Sequence, residues 1–333
     1  MNRHILAVVP ALNEELAIEA CLRSLMEGYA PDDRPDVIVA DGGSTDRTRE
    51  IVARVAGEFP NINLIDNPER FQSAGINRAV AECAQARHTV LVRADAHATY
   101  PPRYLQRVAE AVEGQGIASV VVPMDAKGRP GFPQGAAWIV DTPLGSGGSA
   151  HRGGTRSGPV DHGHHAGMRI DWFQKIGGYD PAFSHNEDAE LDYRLRQAGG
   201  EIWLDADLRL DYRMRDSLRA LMRQYWNYGR GRARTVLKHR LRPRLRQLIP
   251  AVNLGLLVLS AVLILIGLLT GSAGVMVAGL VWPLLYLTLL VVASGWMVMR
   301  HRSVAGLWAG PALAGMHLAW GAGFLRQIAK GTF

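Results

Sequence analysis

The chain changes character at about residue 247. Before it, short apolar runs alternate with amphipathic stretches; after it, charge almost disappears. In the first part, "HILAVVPA", "DVIVADGG", "INLIDNP" and "HTVLVRADA" are rich in Val, Ile and Leu and stop at Pro, Gly or acidic residues, which predicts strands. Between them, "EELAIEACLRSLME", "STDRTREIVARVAGEF" and "SAGINRAVAECAQ" repeat apolar positions at helical spacing, the second opening on a Ser/Thr/Asp cap. This alternation predicts an α/β domain, a mostly parallel sheet with helices on both faces. In such sheets ligands bind beyond the C-terminal ends of the strands, so the residues just after each strand form the candidate site.

After residue 247 the pattern predicts membrane helices. Leu248 to Leu269 and Val275 to Met299 are uncharged and long enough for the roughly 20 residues that a bilayer crossing takes. A third run, Val304 to Leu325, is interrupted by Gly306, Gly310, Pro311, Gly315, Gly321 and Gly323, and fits a span, a re-entrant segment or an interfacial one. The stretch "RGRARTVLKHRLRPRLRQ" precedes the first run, the uncharged "TGSAG" follows it, and "RHRS" follows the second. The positive-inside rule then puts the N-terminal domain, the basic stretch, Arg300 and Arg302 in the cytoplasm. The basic stretch would rest on anionic headgroups. It accounts for the net charge of +6 better than nucleic acid does, because no nucleic-acid-binding module frames the arginines. The apolar stretch near the N-terminus is too short for a signal peptide and runs into Pro10 and acidic residues. Cys21 and Cys83 show no metal or redox spacing and are expected as free thiols in a reducing compartment.

Three strand ends carry polar groups: Pro10, Asn13 and Glu14; then Asp41, Gly42, Gly43, Ser44 and Asp46; then Arg93, Asp95 and His97. Each alone has a plain explanation as a cap or a turn. Together, at ends that converge on one crevice, they favour a binding site. The glycines allow close backbone approach and open a helix N-terminus, but Asp41 and Asp46 would repel a phosphate there. A carboxylate in that place suits the N–H and O–H groups of a base or ribose instead. A diphosphate then needs another counter-charge, and Asp95 with His97 can hold a divalent cation; Mg²⁺ prefers oxygen ligands, whereas Mn²⁺ tolerates an imidazole. The expectation is a nucleotide-diphosphate site with a metal and without a P-loop.

Further along, "SHNEDAELDYRLRQAGG" crowds four carboxylates together. Glu190 with Arg194 and Asp192 with Arg196 stand at i,i+4, the spacing of ordinary surface pairs. Ser184 or Asn186 can begin the helix, which leaves Glu187 and Asp188 in its first turn, where the helix dipole favours their charged forms. In "DHGHHAGMR", His162, His164 and His165 lack the Cys or carboxylate frame of a zinc site, and two adjacent histidines on a strand point opposite ways, so one is expected to serve packing. "KGRPGFPQGAAWIVDTPLGSGGSAHRGGTRSGP" is too Gly-rich for regular structure throughout. It fits a disordered linker, or a mobile loop in which Arg152 and Arg156 meet a lipid pyrophosphate.

The ordered set "VVPALNEE", "VADGGSTDRT", "VRADAH" and "HNEDAELDYRLRQAGGEIWLD" resembles the family 2 inverting glycosyltransferases, which have the GT-A fold, a Rossmann-like sheet with helices on both faces. With "RQYWNYGRGRART" and the C-terminal spans, the chain is similar to their succinoglycan glucosyltransferase (ExoA-like) group. The resemblance implies roles. Ala11, Glu14 and Asp41 would hold the nucleoside of a nucleotide-sugar donor, with Pro10, Asn13, Gly43, Ser44 and Arg93 around them. Asp95, in the place of the family's Asp-x-Asp, would take the metal-diphosphate, with His97 where many relatives carry a second Asp. Asp188 matches the catalytic base and Glu187 stands beside it. His164 and His165 fall on the acceptor side, as do Gln224, Tyr228 and Arg230. Gln224 survives from the Gln-x-x-Arg-Trp of processive relatives, but Tyr228 and Gly229 replace the Arg-Trp, which favours adding one sugar per encounter.

The expected organisation is a cytoplasmic GT-A catalytic domain over 1–212, a basic amphipathic interfacial segment over 213–247, and a membrane domain over 248–333 with two or three helices at about 248–269, 275–299 and 304–325. The expected function is inverting transfer of a sugar, glucose from UDP, to a polyprenyl-linked or other lipid-linked saccharide. The setting would be bacterial exopolysaccharide or cell-surface glycan synthesis at the inner (plasma) membrane, assisted by Mn²⁺ or Mg²⁺. The alternatives are transfer to a simple membrane lipid such as diacylglycerol, and a non-catalytic nucleotide-sugar-binding membrane module.

Overall fold

The computed structural model describes residues 4–149 and 152–331. The chain opens with β1 (Ile5–Ala11), α1 (Ile18–Leu25), β2 (Asp36–Asp41), α2 (Thr48–Glu58), β3 (Ile62–Asp66), α3 (Gln72–Cys83), β4 (Val90–Arg93), α4 (Tyr104–Gly114) and β5 (Ser119–Val122). It continues through β6 (Met124–Lys127), α5 (Phe132–Val140), α6 (Pro143–Ser146), β7 (Gly158–Pro159), β8 (His164–Arg169), α7 (Ile170–Lys175), α8 (Glu187–Gln197), β9 (Ile202–Leu204) and β10 (Leu210–Arg213). Four helices follow: α9 (Leu218–Lys238), α10 (Leu245–Thr270), α11 (Ala273–His301) and α12 (Ala309–Lys330). Two compact units result, one up to Asp125 together with Gly153–Tyr212, the other Ala126–Arg152 together with the chain from Arg213 onward.

The first unit is built on an eight-stranded sheet of order β3-β2-β1-β4-β8-β5-β9-β7. The pairings β1–β2, β1–β4, β2–β3 and β5–β9 are parallel, and β8 runs antiparallel to both its neighbours, β4 and β5. Successive side chains of a strand face opposite sides, so a sheet covered on both faces needs strands apolar throughout. β1 shows this directly. Ile5, Ala7 and Val9 pack with Leu22 of α1, Val52 of α2 and Val108 of α4 in one core, whereas Leu6 and Val8 pack with Ile76 of α3, Phe173 of α7 and Leu191 of α8 in the other. Ala11 pairs with Asp41 at the last rung of β1 and β2, so the loops leaving the two strands start level. β6 and β10 form a separate two-stranded sheet.

In the second unit, α10 and α11 are long and apolar enough to cross a membrane. The third apolar segment of the sequence is a short 3₁₀ turn, Val304–Trp308, followed by α12, whose Gly315, Gly321, Gly323 and Phe324 are buried. Its glycines permit backbone contact with α9. A Cβ on Gly323 would lie 2.2 Å from the Trp226 carbonyl oxygen, and one on Gly229 would lie 2.1 Å from the Trp320 carbonyl oxygen. Residues 213–247 thus supply α9, a turn and the first residues of α10.

The Gly-rich stretch after β6 departs from expectation. It holds α5, α6 and β7 rather than a linker. Some of its glycines mark tight packing, not looseness: a Cβ on Gly135 of α5 would come within 2.3 Å of the Ala305 carbonyl oxygen, and one on Gly145 within 2.3 Å of the Ile139 carbonyl oxygen.

The contact between α9 and α12 can be tested by adding a side chain. Gly229→Val is expected to destabilise the detergent-solubilised protein by about 1–3 kcal/mol through overpacking. Gly255→Ala, where a Cβ would meet nothing within 4 Å, is expected to be neutral or slightly stabilising. Thermal unfolding of both variants checks the contrast.

Candidate active site

The loops leaving β1 and β2 are stitched together by side chains. Asn13 sits in the left-handed region, φ 56°, and its Oδ1 accepts the Thr45 N–H at 2.8 Å while its own N–H donates to Ser44 Oγ at 2.9 Å. The Glu14 N–H donates to Thr48 Oγ1 at 2.8 Å. Pro10 and Ala11 end β1, and the Ala11 carbonyl accepts the Gly42 N–H at 2.8 Å. Asp41 is buried at the end of β2. Its carboxylate accepts from the N–H groups of Gly43 and Ser44, from Ser44 Oγ at 2.5 Å and from Arg49 Nη1 at 2.7 Å. Gly43 has φ 80°, a conformation that favours glycine. Asp41 therefore shapes the loop with both its oxygens already engaged, whereas Gly43 is exposed and Ser44 half-buried.

The end of β4 supplies the second part. Arg93, its last residue, is almost buried and faces three carboxylates. Nη1 donates to Asp188 Oδ1 at 2.5 Å and lies 3.9 Å from Glu187 Oε1, and Nη2 lies 3.6 Å from Asp95 Oδ1. Asp95 also accepts from Gln72 Nε2 at 3.2 Å, and its N–H donates to Tyr100 Oη at 2.6 Å. His164 Nε2 lies 3.6 Å from Asp95 Oδ2. His97 is exposed, with Nδ1 3.4 Å from Glu14 Oε1, so it joins the β1 loop to the β4 end. Among the described residues no three His, Cys, Asp or Glu side chains gather as a metal cage. A carboxylate and an exposed imidazole fit a cation that draws its remaining ligands from a bound diphosphate and water, as Mg²⁺ or Mn²⁺ does with nucleotides.

The third part is the start of α8, where Glu187 and Asp188 occupy the first turn as the sequence predicts. The Asn186 N-cap has φ 65° and makes no side-chain cap bond. Neither pair expected further along this helix lies at the surface, because Glu190 and Asp192 are both fully buried. Glu190 does bind Arg194, at 2.7 Å, and Arg194 also donates to the carbonyls of Ile176 and Gly178. Asp192 turns away from Arg196 and takes His162 Nδ1 at 2.8 Å and His165 Nε2 at 2.7 Å, while Arg196 faces Asp161. The i,i+4 spacing says nothing about what covers a helix face: Asp192 meets His165 of β8, whereas the Glu190–Arg194 pair lies against the turn after α7. Both His164 and His165 engage carboxylates, so neither is a packing residue alone. Tyr179 escaped the sequence reading: its hydroxyl donates to Asp188 Oδ1 at 3.2 Å and lies 2.7 Å from His165 Nδ1. Asp192 had a signal, since it follows Asp188 by four positions and so shares its helix face.

Electrostatics separate the two first-turn acids. Burial would push the Asp188 carboxyl up, but the Arg93 guanidinium, supported by His165 and His164, holds it well below the usual range. Glu187 is pushed up by burial and by the neighbouring Asp188 charge. Of the remaining sequence candidates, Arg156 is exposed in the first unit. Arg152, Gln224, Tyr228 and Arg230 belong to the second unit, where Gln224 Nε2 donates to Tyr228 Oη at 2.8 Å.

A sheet whose strand ends carry loops of this kind matches known proteins. The family model "Glycosyl transferase family 2" matches residues 6–177. The chain belongs to glycosyl transferase family 2. It is 44% identical over 323 residues to the succinoglycan biosynthesis protein ExoA of Rhizobium meliloti (strain 1021), covering 97% of this chain and 94% of that one. A second relative, the dolichyl N-acetyl-alpha-D-glucosaminyl phosphate 3-beta-D-2,3-diacetamido-2,3-dideoxy-beta-D-glucuronosyltransferase of Methanococcus voltae, is 24% identical over 241 residues, 69% of this chain and 73% of its own. Among solved structures, the mannosyltransferase PcManGT from Pyrobaculum calidifontis, in complex with GDP-Man and Mn²⁺, aligns over 96% of this chain and 88% of its own, with a TM-score of 0.58 and 16% identity. That likeness is one of fold, GT-A. This family 2 member is a glycosyltransferase, and the non-catalytic alternative falls away.

The buried imidazole makes stability depend on pH. Burial disfavours charge on His165, yet Asp192 and Asp188 raise its pKa above the ordinary value. A histidine whose folded pKa is raised adds stability in full below its unfolded value, about 6.5, and loses it as pH rises through the folded value. The stability difference between wild type and His165→Asn is therefore expected to be greatest below about pH 6.5 and to shrink at higher pH. Urea unfolding of the detergent-solubilised enzyme across pH 5–9 measures it.

Proposed function

We propose that this glycosyltransferase inverts configuration as it moves a sugar, glucose, from UDP to a lipid-linked saccharide in bacterial exopolysaccharide synthesis. The observation that carries the reading is the arrangement around Arg93, with Asp95 on one side of the guanidinium and Asp188 on the other. A donor-side carboxylate and a basic carboxylate then stand within the reach of one sugar unit. The near full-length likeness to a succinoglycan biosynthesis protein supports the pathway class.

The nucleoside sits over the Asn13–Glu14 and Gly43–Ser44 loops, whose shape Asp41 maintains. A divalent cation, Mn²⁺ or Mg²⁺, would be held by Asp95 and His97 and would offset the charge growing on the diphosphate. Asp188 Oδ1 is taken by Arg93 and Tyr179, which leaves Oδ2 for the acceptor hydroxyl. Oδ2 removes the hydroxyl proton, the acceptor oxygen attacks the anomeric carbon, and the bond to the diphosphate breaks on the opposite face. An α-linked donor gives a β-glycoside. His164 and His165 lie on the acceptor side, and Glu187 supports the base. In this reading α10 and α11 hold the enzyme in the plasma membrane as a multi-pass protein. Residues 1–212 form the cytoplasmic catalytic domain, 213–247 a basic interfacial segment and 248–333 the membrane domain. Arg152, Arg156, Gln224, Tyr228 and Arg230 meet the lipid-linked acceptor, and one sugar is added per encounter.

Asp188→Asn keeps the shape of the side chain and removes its basicity. Transfer from UDP-glucose is expected to fall on the order of 10²-fold or more, with donor binding by calorimetry nearly intact. Near-normal turnover would take Asp188 out of the mechanism.

Asp95→Ala is expected to lose metal-dependent donor binding, because the diphosphate charge loses its protein-held counterion. His97→Asp is expected to move the preference from Mn²⁺ toward Mg²⁺. Titration of UDP binding against each metal reads both effects, and an unchanged metal profile in His97→Asp would mean that His97 is not a ligand.

A further inference from the structure

From Asp188 inward, hydrogen bonds continue without a break. The Tyr179 hydroxyl touches Asp188 Oδ1 at 3.2 Å and His165 Nδ1 at 2.7 Å, and His165 Nε2 lies 2.7 Å from Asp192 Oδ1. Asp192 Oδ2 closes the chain on His162 Nδ1 at 2.8 Å and on the Gly163 N–H at 3.3 Å. Tyr179 and His165 are each 4% exposed and Asp192 is fully buried.

The chemistry of the members fixes the direction of the chain. An ionised carboxylate only accepts, so His165 Nε2 carries a hydrogen toward Asp192. If Nδ1 carries one as well, the Tyr179 oxygen at 2.7 Å accepts it ahead of Asp188 Oδ1, which lies 3.4 Å from Nδ1, and the single hydroxyl hydrogen is sent to Asp188 Oδ1. The raised pKa of His165 favours that doubly protonated form. Arg93 approaches the same oxygen from β4. Two donors on Oδ1 hold the carboxylate plane and engage that oxygen, not Oδ2.

Stability alone does not call for this chain. Three polar side chains buried between a central strand and a helix cost desolvation, and apolar residues of similar volume often hold such an interface as well or better. The chain also ends on a functional carboxylate instead of closing on itself. The geometry points to Tyr179, His165 and Asp192 as positioning residues that set, from the core, which oxygen of Asp188 faces the acceptor. The inference rests on Asp188 being the base.

The test measures kcat and donor KM of the full-length enzyme with UDP-glucose, Mn²⁺ and a bacterial membrane-lipid extract as acceptor. The variants are Tyr179→Phe, Asp192→Asn, the double variant and Asp188→Asn. Tyr179→Phe keeps the ring and its edge contact with Phe173, so it removes the hydroxyl without emptying the site. Each single variant is expected to lose about tenfold or more in kcat, with donor KM within about twofold of wild type. The double variant is expected to be no slower than the slower single one, because both cut one chain. Should Asp192→Asn lose its cooperative unfolding transition, His165→Gln takes its place in the cycle. Wild-type kcat in Tyr179→Phe, or a double variant whose loss is the product of the two single losses, overturns the inference. An inactive Asp188→Asn beside a fully active Tyr179→Phe would reject the positioning chain and leave the base in place. An active Asp188→Asn would reject the base, and the chain with it.

Discussion

The guanidinium of Arg93 cannot shed its charge, and it lies almost buried at the end of β4. Such a charge is tolerable only where carboxylates surround it, and Asp188, Glu187 and Asp95 do so. Much of the site follows from that requirement. The start of α8 must reach the end of β4, which sets where the first-turn acids lie. One guanidinium cannot satisfy all three carboxylates equally. Asp188 takes the close contact and stays ionised, while Glu187, at 3.9 Å and beside a like charge, is driven toward its protonated form. Two adjacent acids on one helical turn thus acquire different characters from a single neighbour.

The sequence made the first half of the sheet legible because β1 to β4 are each an apolar run between helical ones and together fill one side of the sheet, in the order β3-β2-β1-β4. The strand-end residues were legible for the same reason: Asn13, Asp41 and Asp95 all leave C-terminal strand ends. What escaped depends on pairing across distance. Nothing in "DHGHHAGMR" says that it will become a strand between β4 and β5, and only that placement brings His165 to Asp192 and Tyr179 to Asp188. The same blindness made Glu190 and Asp192 look solvated. Local spacing identifies which residues share a helix face, but not what covers it. The Gly-rich stretch after β6 misled in another way. Composition reads glycine as looseness, whereas Gly135 is there because a neighbouring backbone leaves no room for a Cβ.

The second unit uses that last device on a larger scale. Where a helix carries glycine, the backbone of its neighbour can come close. Glycines on α9 and α12 allow such approach from both sides. Polar contacts accompany it elsewhere in the unit: Trp282 Nε1 donates to Asn253 Oδ1 between α11 and α10, and Tyr286 meets His317 between α11 and α12.

The antiparallel strand β8 also dictates the order in which the polypeptide can acquire its shape. Strands β3, β2, β1 and β4 form one block and β5, β9 and β7 another, and in the sheet order only β8 joins them. As the chain leaves the ribosome, β4 and β5 are made long before β8, and in the interval each presents an unpaired edge to other nascent chains. Residues 126–152 emerge within that same interval, while the helices that complete their own unit have yet to be translated. The newborn chain must therefore keep the edges of β4 and β5 apart from their surroundings until residue 169 appears, and β5 gains its second neighbour, β9, later still. Long-range closure of this kind is slow. It makes the translation of the segment between β5 and β8 a period in which this chain is exposed to misassociation.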